Sequence, residues 1–302
     1  MISDIIRLGK RIYDTSNPRE VHRLIVFVGR VLLHYSSINR LMNYFQADDL
    51  RRQIIAKYPF PIEQATRAFF YAGSTLEQRE QLIEGHYDFL ERTLKPEWVL
   101  KLGVIDGRYR VWQSSETDID WYAWLSMEPG QRKEGLMSLM MKLGNEDLYQ
   151  MMFWFNKDKN GEDALWIGAM QGPHMANARD VIKDITKRSH RYRTKNLILY
   201  MTMAVARGFG VKHIYAVSNE GYYANNHVRR DRKLKTNFGA FWEEVGGQQT
   251  DDPRFYEIPL VEPRKTMEEV PTRKRATYRK RYAFQDNVDA QIAAALAKIM
   301  KA

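Results

Sequence analysis

Three cations stand just before a predicted apolar helix. Arg191, Arg193 and Lys195 precede Leu197 to Arg207, a segment whose apolar residues predict a buried helix ended by glycine. A helix N-terminus presents unpaired backbone N–H groups and the positive end of the helix dipole. Added cations favour an anion there, and we predict a phosphate or pyrophosphate site. A solvated basic loop is the alternative, because surface lysines and arginines are common.

Two turns that follow predicted strands could complete this site. Gln171 and Gly172 follow one buried strand, and glycine permits close approach of a ligand to the backbone. Ser218 and Asn219 end a second one, Val211 to Val217. Open α/β sheets place ligands outside the carboxyl ends of their strands. A plain turn and a helix N-cap are the alternatives for these two segments.

Histidines and tyrosines are the candidate acids and bases. Histidine is the commonest such residue near neutral pH. We favour His86 as a general base because it lies on a predicted helix, whereas His174 and His190 lie in loops. Tyr222 and Tyr223 could protonate a leaving thiolate. For each of these side chains, a packing or loop role is the alternative.

No metal site is predicted. The chain has no cysteine, which excludes disulfides, thiolate metal ligands and cysteine nucleophiles. His86 and Asp88 form a His-x-Asp pair of the kind that iron oxygenases use. On a helix, however, residues two positions apart do not face one another.

The composition limits the classes of protein to which this chain can belong. The 302 residues carry a formal net charge of +10, and 44% are hydrophobic, which predicts a folded basic protein. No apolar run approaches the length of about 18 residues that a membrane span needs. We therefore expect a soluble, unprocessed cytoplasmic protein. Its expected partner is acidic or carries phosphate: a carrier protein, a cofactor, nucleic acid or an anionic membrane surface.

The sequence patterns predict an α/β fold in three parts. Residues 1–95 form a helical N-terminal segment, 96–262 a mixed sheet, and 263–302 a basic C-terminal extension with a helix from about Gln285. In the first part, Thr75 and Gln78 predict a capping box at a helix start, and Tyr58 to Pro61 predicts an extended break. The consecutive strands up to Met170 predict an antiparallel meander. Val211 to Val217 is a nearly continuous apolar run. It predicts a central strand that lies parallel to Leu165–Met170 through a right-handed crossover. Five tryptophans in predicted strands are expected in the core: Trp112, Trp121, Trp124, Trp154 and Trp166.

Two basic runs suggest a different class of function. The first extends from Arg229 to Lys235, and the second, from Arg273 to Arg281, has Tyr278 and Tyr282 interleaved. Basic side chains with aromatic neighbours suit a nucleic-acid backbone. A solvated basic helix is the alternative.

An ordered set of short motifs spans about residues 59 to 282. The motifs are Pro59-Phe60-Pro61 with Ala65-Thr66-Arg67-Ala68-Phe69, Glu84-Gly85-His86-Tyr87, Glu134-Gly135-Leu136-Met137-Ser138-Leu139, Ile167-Gly168 with Gln171-Gly172-Pro173, Thr186-Lys187, Val217-Ser218-Asn219, Phe241-Trp242-Glu243-Glu244 with Gly246-Gly247, and Lys274-Arg275-Ala276 with Arg279, Arg281 and Tyr282. With these motifs the chain resembles the bacterial VirK/YbjX family. Where that family often has an acidic-aromatic pair before Phe-Trp, this chain has Phe238-Gly239. The resemblance implies a link to virulence and antimicrobial-peptide resistance, without an established activity. It adds Lys187 to the candidate anion site.

Residues 120 to 260 also resemble the GCN5-related acyltransferases in the order of their elements. In those enzymes an antiparallel strand series leads to a helix that binds pyrophosphate, then to a strand and a short helix. Here about two dozen residues separate Gln171 from the helix, where that superfamily has few. The expected phosphate contact therefore shifts to residues 191–195.

This second resemblance implies transfer of an acyl or aminoacyl group to an amine or hydroxyl. The donor would be an acyl-CoA, an acyl-carrier protein or an aminoacyl nucleotide. The alternative is a non-catalytic protein of the envelope-stress or virulence response that binds nucleic acid or a membrane surface. A third possibility is a regulator that keeps the fold without the chemistry.

Overall fold

The computed structural model of the chain describes residues 2–104, 107–128, 130, 132–225 and 236–301. Helices precede the sheet, as predicted. These helices are α1 (Ile2–Ile12), α2 (Pro18–Leu33), α3 (Tyr35–Gln46), α4 (Asp49–Lys57), α5 (Phe60–Thr66), α6 (Leu76–Thr93) and α7 (Pro96–Leu102).

Local signals account for two of the helix starts. Thr75 and Gln78 form the predicted capping box at the start of α6, with each side chain bonded to the other residue's backbone N–H. The extended break predicted through Pro61 is wrong, because α5 begins at Phe60. Proline is tolerated in the first turn of a helix, where its missing N–H would have no partner.

Eight strands form one sheet within the described residues. They are β1 (Arg108–Gln113), β2 (Trp121–Ser126), β3 (Met137–Leu143), β4 (Glu146–Lys157), β5 (Asp163–Gln171), β6 (His213–Val217), β7 (Gln248–Gln249) and β8 (Phe255–Ile258). The spatial order is β1-β2-β3-β4-β5-β6-β8-β7. The antiparallel meander over β1 to β5 is confirmed. The predicted parallel pairing is also confirmed, since β6 lies between β5 and β8 and runs parallel to β5.

The connection between β5 and β6 contains two helices where one was predicted. Helix α8 (Ala178–Arg188) buries only Ile185, so its apolar period was too weak to distinguish it from a polar loop. Helix α9 (Thr194–Gly208) matches the prediction and packs on β3 and β4.

The remaining helices complete the fold. They are α10 (Phe238–Glu244), a short 3-10 helix (Thr272–Lys274) and α11 (Arg275–Ile299). Helix α11 packs against α9 and β1 and begins ten residues earlier than predicted, so most of the second basic run forms its first two turns. Among the described residues, no helix is both long and apolar enough to cross a membrane.

Candidate functional site

Strands β5 and β6 pair over only part of their length. Their parallel register runs from Ala164 opposite His213 to Ile167 opposite Ala216. Beyond these pairs, β5 continues along β4 to Gln171, whereas β6 continues along β8. We call the gap between the two strands beyond Ile167 and Ala216 the fork. It lies at the carboxyl ends of both strands, where parallel sheets commonly hold their ligands.

A bulge and a glycine shape the β5 side of the fork. The register between β4 and β5 shifts between Met152 and Phe153, which is a β-bulge. Gly168 lies within it, under the backbone of Glu134. A Cβ atom on Gly168 would lie 1.9 Å from the Glu134 carbonyl oxygen, so the close approach of these two segments requires glycine.

Aromatic side chains line the β6 side of the fork. The indole Nε1 of Trp242 on α10 donates a hydrogen bond of 2.8 Å to the carbonyl of Val217. Trp242 stacks on Phe238, and Phe238 contacts Tyr222, with ring centroids 6.1 and 5.8 Å apart. These contacts satisfy a strand carbonyl that has no partner on β5 and place Tyr222 beside the fork.

A buried acid lies next to this tyrosine. The Tyr222 hydroxyl donates a hydrogen bond of 2.6 Å to Oε1 of Glu134, whose residue is only 8% exposed. Burial raises the pKa of Glu134, and burial together with the carboxylate raises the pKa of Tyr222. Sequence reasoning did not single out Glu134, although it lies in a motif of the VirK/YbjX resemblance. Tyr223 belongs to the same cluster, because its ring contacts Tyr222 at 5.0 Å.

Ser218 and Asn219 hold the turn that leaves β6. The Ser218 hydroxyl donates to the carbonyl of Pro253 at 2.8 Å and accepts from the backbone N–H of Gly221 at 3.0 Å. Asn219 Oδ1 accepts from the backbone N–H of Gly239 at 3.1 Å. Both side chains line a cavity of about 560 Å³. Their polar atoms organise this turn, and a role toward a ligand stays a prediction.

The cations before α9 have an acidic partner that the sequence did not indicate. Glu244 at the end of α10 forms ion pairs with Arg193 and, at 3.5 Å, with Lys195. The ammonium group of Lys195 also lies 4.5 Å from the centre of the Phe241 ring, and burial lowers its pKa. Arg191 adopts a left-handed backbone conformation with φ of 63°. An anion at this helix start must therefore compete with Glu244.

The turn after β5 approaches the same region. Gln171 Nε2 donates to the ring of the exposed His174. Gly172 packs near the Tyr149 ring, and the positive charge of Arg193 acts on the Tyr149 hydroxyl. The structure thus brings the 171–172 turn and Arg193 to one tyrosine. Lys187 is exposed in the last turn of α8.

His86 lies inside the protein, away from the fork. Its Nδ1 accepts a hydrogen bond of 3.1 Å from the backbone N–H of Phe155, and its ring stacks on Phe155. The residue is 1% exposed, and burial lowers its pKa to about 3. A neutral ring whose acceptor nitrogen is already bonded fits a packing role. Its assignment as a general base remains an untested prediction.

Among the described residues, one group of side chains has a spacing that could hold a metal. Asp158, Glu162 and His213 place ligand atoms within 4.8 Å of one another. His213, however, lies between Glu257 and Glu162, with contacts of 2.7 and 2.9 Å, and these hydrogen bonds raise its pKa. Both ring nitrogens are therefore already in contact with carboxylates, and a metal would have to displace one of these contacts. In the His86–Asp88 pair, Asp88 instead accepts from the Tyr44 hydroxyl at 2.7 Å.

The sheet also carries a cleft of about 680 Å³, lined in part by Trp154, Trp166 and Tyr215. The predicted burial of the tryptophans is confirmed for Trp112, Trp121 and Trp154, each at most 2% exposed. Trp166 and Trp124 are instead only half-buried. Sequence reasoning assigned Trp166 to the core because the apolar run of β5 gave no sign of a cleft above it.

The two basic runs differ in what the structure describes. Arg229 to Lys235 lies outside the described residues. In the second run, Arg273, Lys274, Arg279 and Lys280 are exposed around the start of α11. These four form no ion pair with any residue in the described ranges.

Comparison with known proteins gives a family without an assigned activity. The chain is 28% identical over 229 residues to the uncharacterized protein YbjX of Escherichia coli K12, a match that covers 71% of this chain and 66% of that protein. It is 29% identical over 166 residues to an uncharacterized protein of Haemophilus influenzae, covering 54% of this chain and 53% of the relative. The chain thus matches less than two thirds of the length of either relative.

The VirK/YbjX resemblance is confirmed by these matches. No solved structure matches the chain, so the likeness to GCN5-related acyltransferases stays a prediction. A family model described as a protein of unknown function (DUF535) matches residues 16–294, and the chain belongs to that family.

Proposed function

We propose that this protein transfers an acyl or aminoacyl group from a phosphopantetheine- or nucleotide-bearing donor to an amine or hydroxyl. The observation that carries the proposal is the fork, with the buried Glu134–Tyr222 hydrogen bond beside it. A parallel strand pair that separates leaves room for an extended donor arm between strands. An acid–base pair at that point supplies the proton transfers that acyl transfer requires.

The proposed roles follow from the chemistry of the pair. The acceptor attacks the acyl carbonyl carbon, so a C–N or C–O bond forms as the C–S or C–O bond to the donor breaks. Glu134, whose pKa burial raises, takes the proton that the acceptor loses. Tyr222 gives its proton to the leaving group and recovers one from Glu134 across their 2.6 Å hydrogen bond. Proton count and charge therefore balance over one cycle.

The cations before α9 are the proposed contacts for the donor's phosphates. Arg193 and Lys195 lie at the N-terminus of α9, a helix of 15 residues. The unpaired N–H groups of the helix start add to the positive charge of these two side chains. The remaining predicted donor contacts are Gln171, Gly172, Lys187, Arg191 and Asn219. His86, His174, Ser218 and Tyr223 stay untested as catalytic residues, and Glu134 and Tyr222 take precedence because they are paired at the fork.

The absence of cysteine permits a direct test. Any thiol detected by a disulfide-exchange dye must come from a thioester donor, since the protein contributes none. The purified chain is incubated with acyl-CoA and acyl-carrier donors and with a mixture of amines and sugars. Aminoacyl-tRNA is tested separately by release of the labelled amino acid.

Tyr222→Phe is the diagnostic variant, and we expect it to lower turnover by roughly 100-fold, the usual contribution of a general acid. Tyr282→Phe is the matched control, because Tyr282 lies on α11 and its hydroxyl donates to the Lys265 carbonyl, outside the Glu134–Tyr222 pair. Equal turnover of wild type and Tyr222→Phe would exclude the proposed acid. No turnover with any of the three donor classes would reject the transferase proposal.

A second candidate function is binding to nucleic acid. The observation that favours it is the set of four exposed cations around the start of α11 without ion pairs to described residues: Arg273, Lys274, Arg279 and Lys280. Replacing all four by glutamine should lower the slope of log affinity against log salt by about 3 to 4. An unchanged slope with labelled RNA and DNA, or preference for anionic vesicles instead, would count against this candidate.

A further inference from the structure

A row of side chains forms the floor of the 680 Å³ cleft. Trp154, Trp166, Tyr215 and Glu257 are register partners on β4, β5, β6 and β8. Register partners on neighbouring strands share one face of a sheet. The row is therefore a continuous surface. The volume of the cleft above it lies within the range of small-molecule sites.

Aromatic contacts fix the half-buried indole of Trp166 within this floor. Its ring stacks on Tyr215 with centroids 4.4 Å apart and lies nearly parallel to Trp154, at an angle of 6°. Phe255 meets it edge-on at 5.1 Å. The floor thus consists of packed aromatic rings, with the carboxylate of Glu257 at its β8 end.

The cations that line the cleft are already paired. The ion pairs are Lys157–Asp163 at 2.9 Å, Lys159–Asp251 at 2.8 Å and Arg254–Asp252 at 2.6 Å. A phosphate or carboxylate ligand would have to displace an acid from one of them. A cationic ligand would meet Arg254, which already lies over the Tyr71 ring at 5.0 Å, and the acids Asp158 and Glu257 of the cleft already contact His213. The charge arrangement therefore favours a neutral ligand.

The rim is rich in carboxamides. Gln81, Gln248 and Gln249 are exposed, and their side chains form no hydrogen bond within the described part of the chain. Asn156 uses its oxygen to accept from the backbone N–H of Lys157, which leaves its two amide hydrogens. A carboxamide both donates and accepts, as does a hydroxyl group. Several carboxamides around an aromatic floor thus match a ligand with many hydroxyl groups and an apolar ring face.

We propose that this cleft binds a neutral saccharide of mono- to disaccharide size. The C–H face of a sugar ring packs on Trp166, and its hydroxyl groups bond to the glutamines of the rim. This binding goes beyond the proposed transferase activity and does not depend on it, since none of the cleft residues above takes part in the acid–base pair.

Saturation-transfer NMR on the full chain tests the proposal. The probes are maltose, lactose and N,N′-diacetylchitobiose as neutral saccharides, with adenosine and AMP for comparison. We expect saturation of the sugar ring C–H protons, and weaker saccharide binding, by roughly tenfold, in the double variant Gln248→Ala/Gln249→Ala. Gln53→Ala is the matched control, because this glutamine is exposed on α4 and lines a different cavity.

Trp166→Leu removes the indole and should abolish the saccharide signal. If circular dichroism shows that this variant is unfolded, the exposed glutamine pair alone decides the test. Any one of three results overturns the proposal. The first is no saturation of any saccharide, and the second is tighter binding of AMP than of adenosine and the sugars. The third is saccharide binding that the double variant Gln248→Ala/Gln249→Ala leaves unchanged. Turnover with acyl donors is a separate readout, so failure here leaves the transferase proposal standing.

Discussion

Gly168→Ala should destabilise the fold by about 3 kcal/mol, the upper end of the usual cost of overpacking. The added Cβ would lie 1.9 Å from the carbonyl oxygen of Glu134, and 2.9 Å from both its carbonyl carbon and Cζ3 of Trp154. The first contact is with backbone, which cannot rotate away as a flexible side chain would. Trp154 is 2% exposed and contacts the rings of Phe70, Tyr71 and Trp166, so it cannot yield without moving its neighbours.

Gly29→Ala is the matched control for this substitution. Gly29 lies inside α2, and a Cβ there would meet no atom within 4 Å. Alanine favours the helix over glycine by about 0.5 to 1 kcal/mol, so this variant should be more stable than wild type. Urea denaturation followed by circular dichroism gives the change in the free energy of unfolding for both variants, compared at a common m-value.

A Gly168→Ala variant within about 0.5 kcal/mol of wild type would refute the reasoning, because that is the range of neutral surface substitutions. It would mean that the segment around Glu134 moves freely away from β5. The Glu134–Tyr222 pair would then have no fixed position beside the fork, and the geometric basis of the transferase proposal would be lost.

Three further predictions concern single side chains. Because burial lowers the pKa of His86 from 6.5 to about 3, the unfolded state binds its proton more readily between these values. The free energy of unfolding should fall by about 1.4 kcal/mol per pH unit as the pH drops below 6.5. His86→Leu should flatten this pH dependence in urea titrations. The same pH dependence in wild type and variant would contradict the buried position of His86. Thr75→Ala should cost about 1 kcal/mol by removing the capping box, and no change in denaturation midpoint would argue against it. Glu244→Gln should tighten pyrophosphate binding measured by calorimetry, because it frees Arg193 and Lys195; unchanged affinity would reject the anion site.

Local signals in the sequence were sufficient for several elements. The apolar run of β6 predicted an interior strand parallel to β5, because a strand covered on both faces needs apolar residues throughout. Thr75 and Gln78 predicted a helix start from four residues. Helix α11 was predicted too short because the charged residues of its first turns hide the apolar period, although arginine, lysine and alanine all favour helix.

Contacts between distant residues escaped sequence reasoning. Glu134 and Tyr222 are 88 positions apart, and neither carries a local sign of the other. Glu244 likewise lies far along the chain from the cations that it pairs with. A single sequence shows which groups could ionise, but only the folded arrangement shows which charges are neutralised. The same limit applies to Trp166. The cleft that exposes it is formed where α6 and the segment before β8 pack beside the sheet.

The fork and the cleft share a wall, which links the two proposals. Trp154 lines the cleft, and its ring edge also packs close to Gly168, where the Glu134 backbone crosses β5. If both proposals hold, a saccharide in the cleft lies beside the acid–base pair, and one of its hydroxyl groups is the natural acceptor. Adding the saccharide that binds should then speed thiol release from the donor, and mass spectrometry should find an acylated sugar. Saccharide binding without any effect on thiol release would separate the two sites, leaving the cleft as a binding site with no part in transfer.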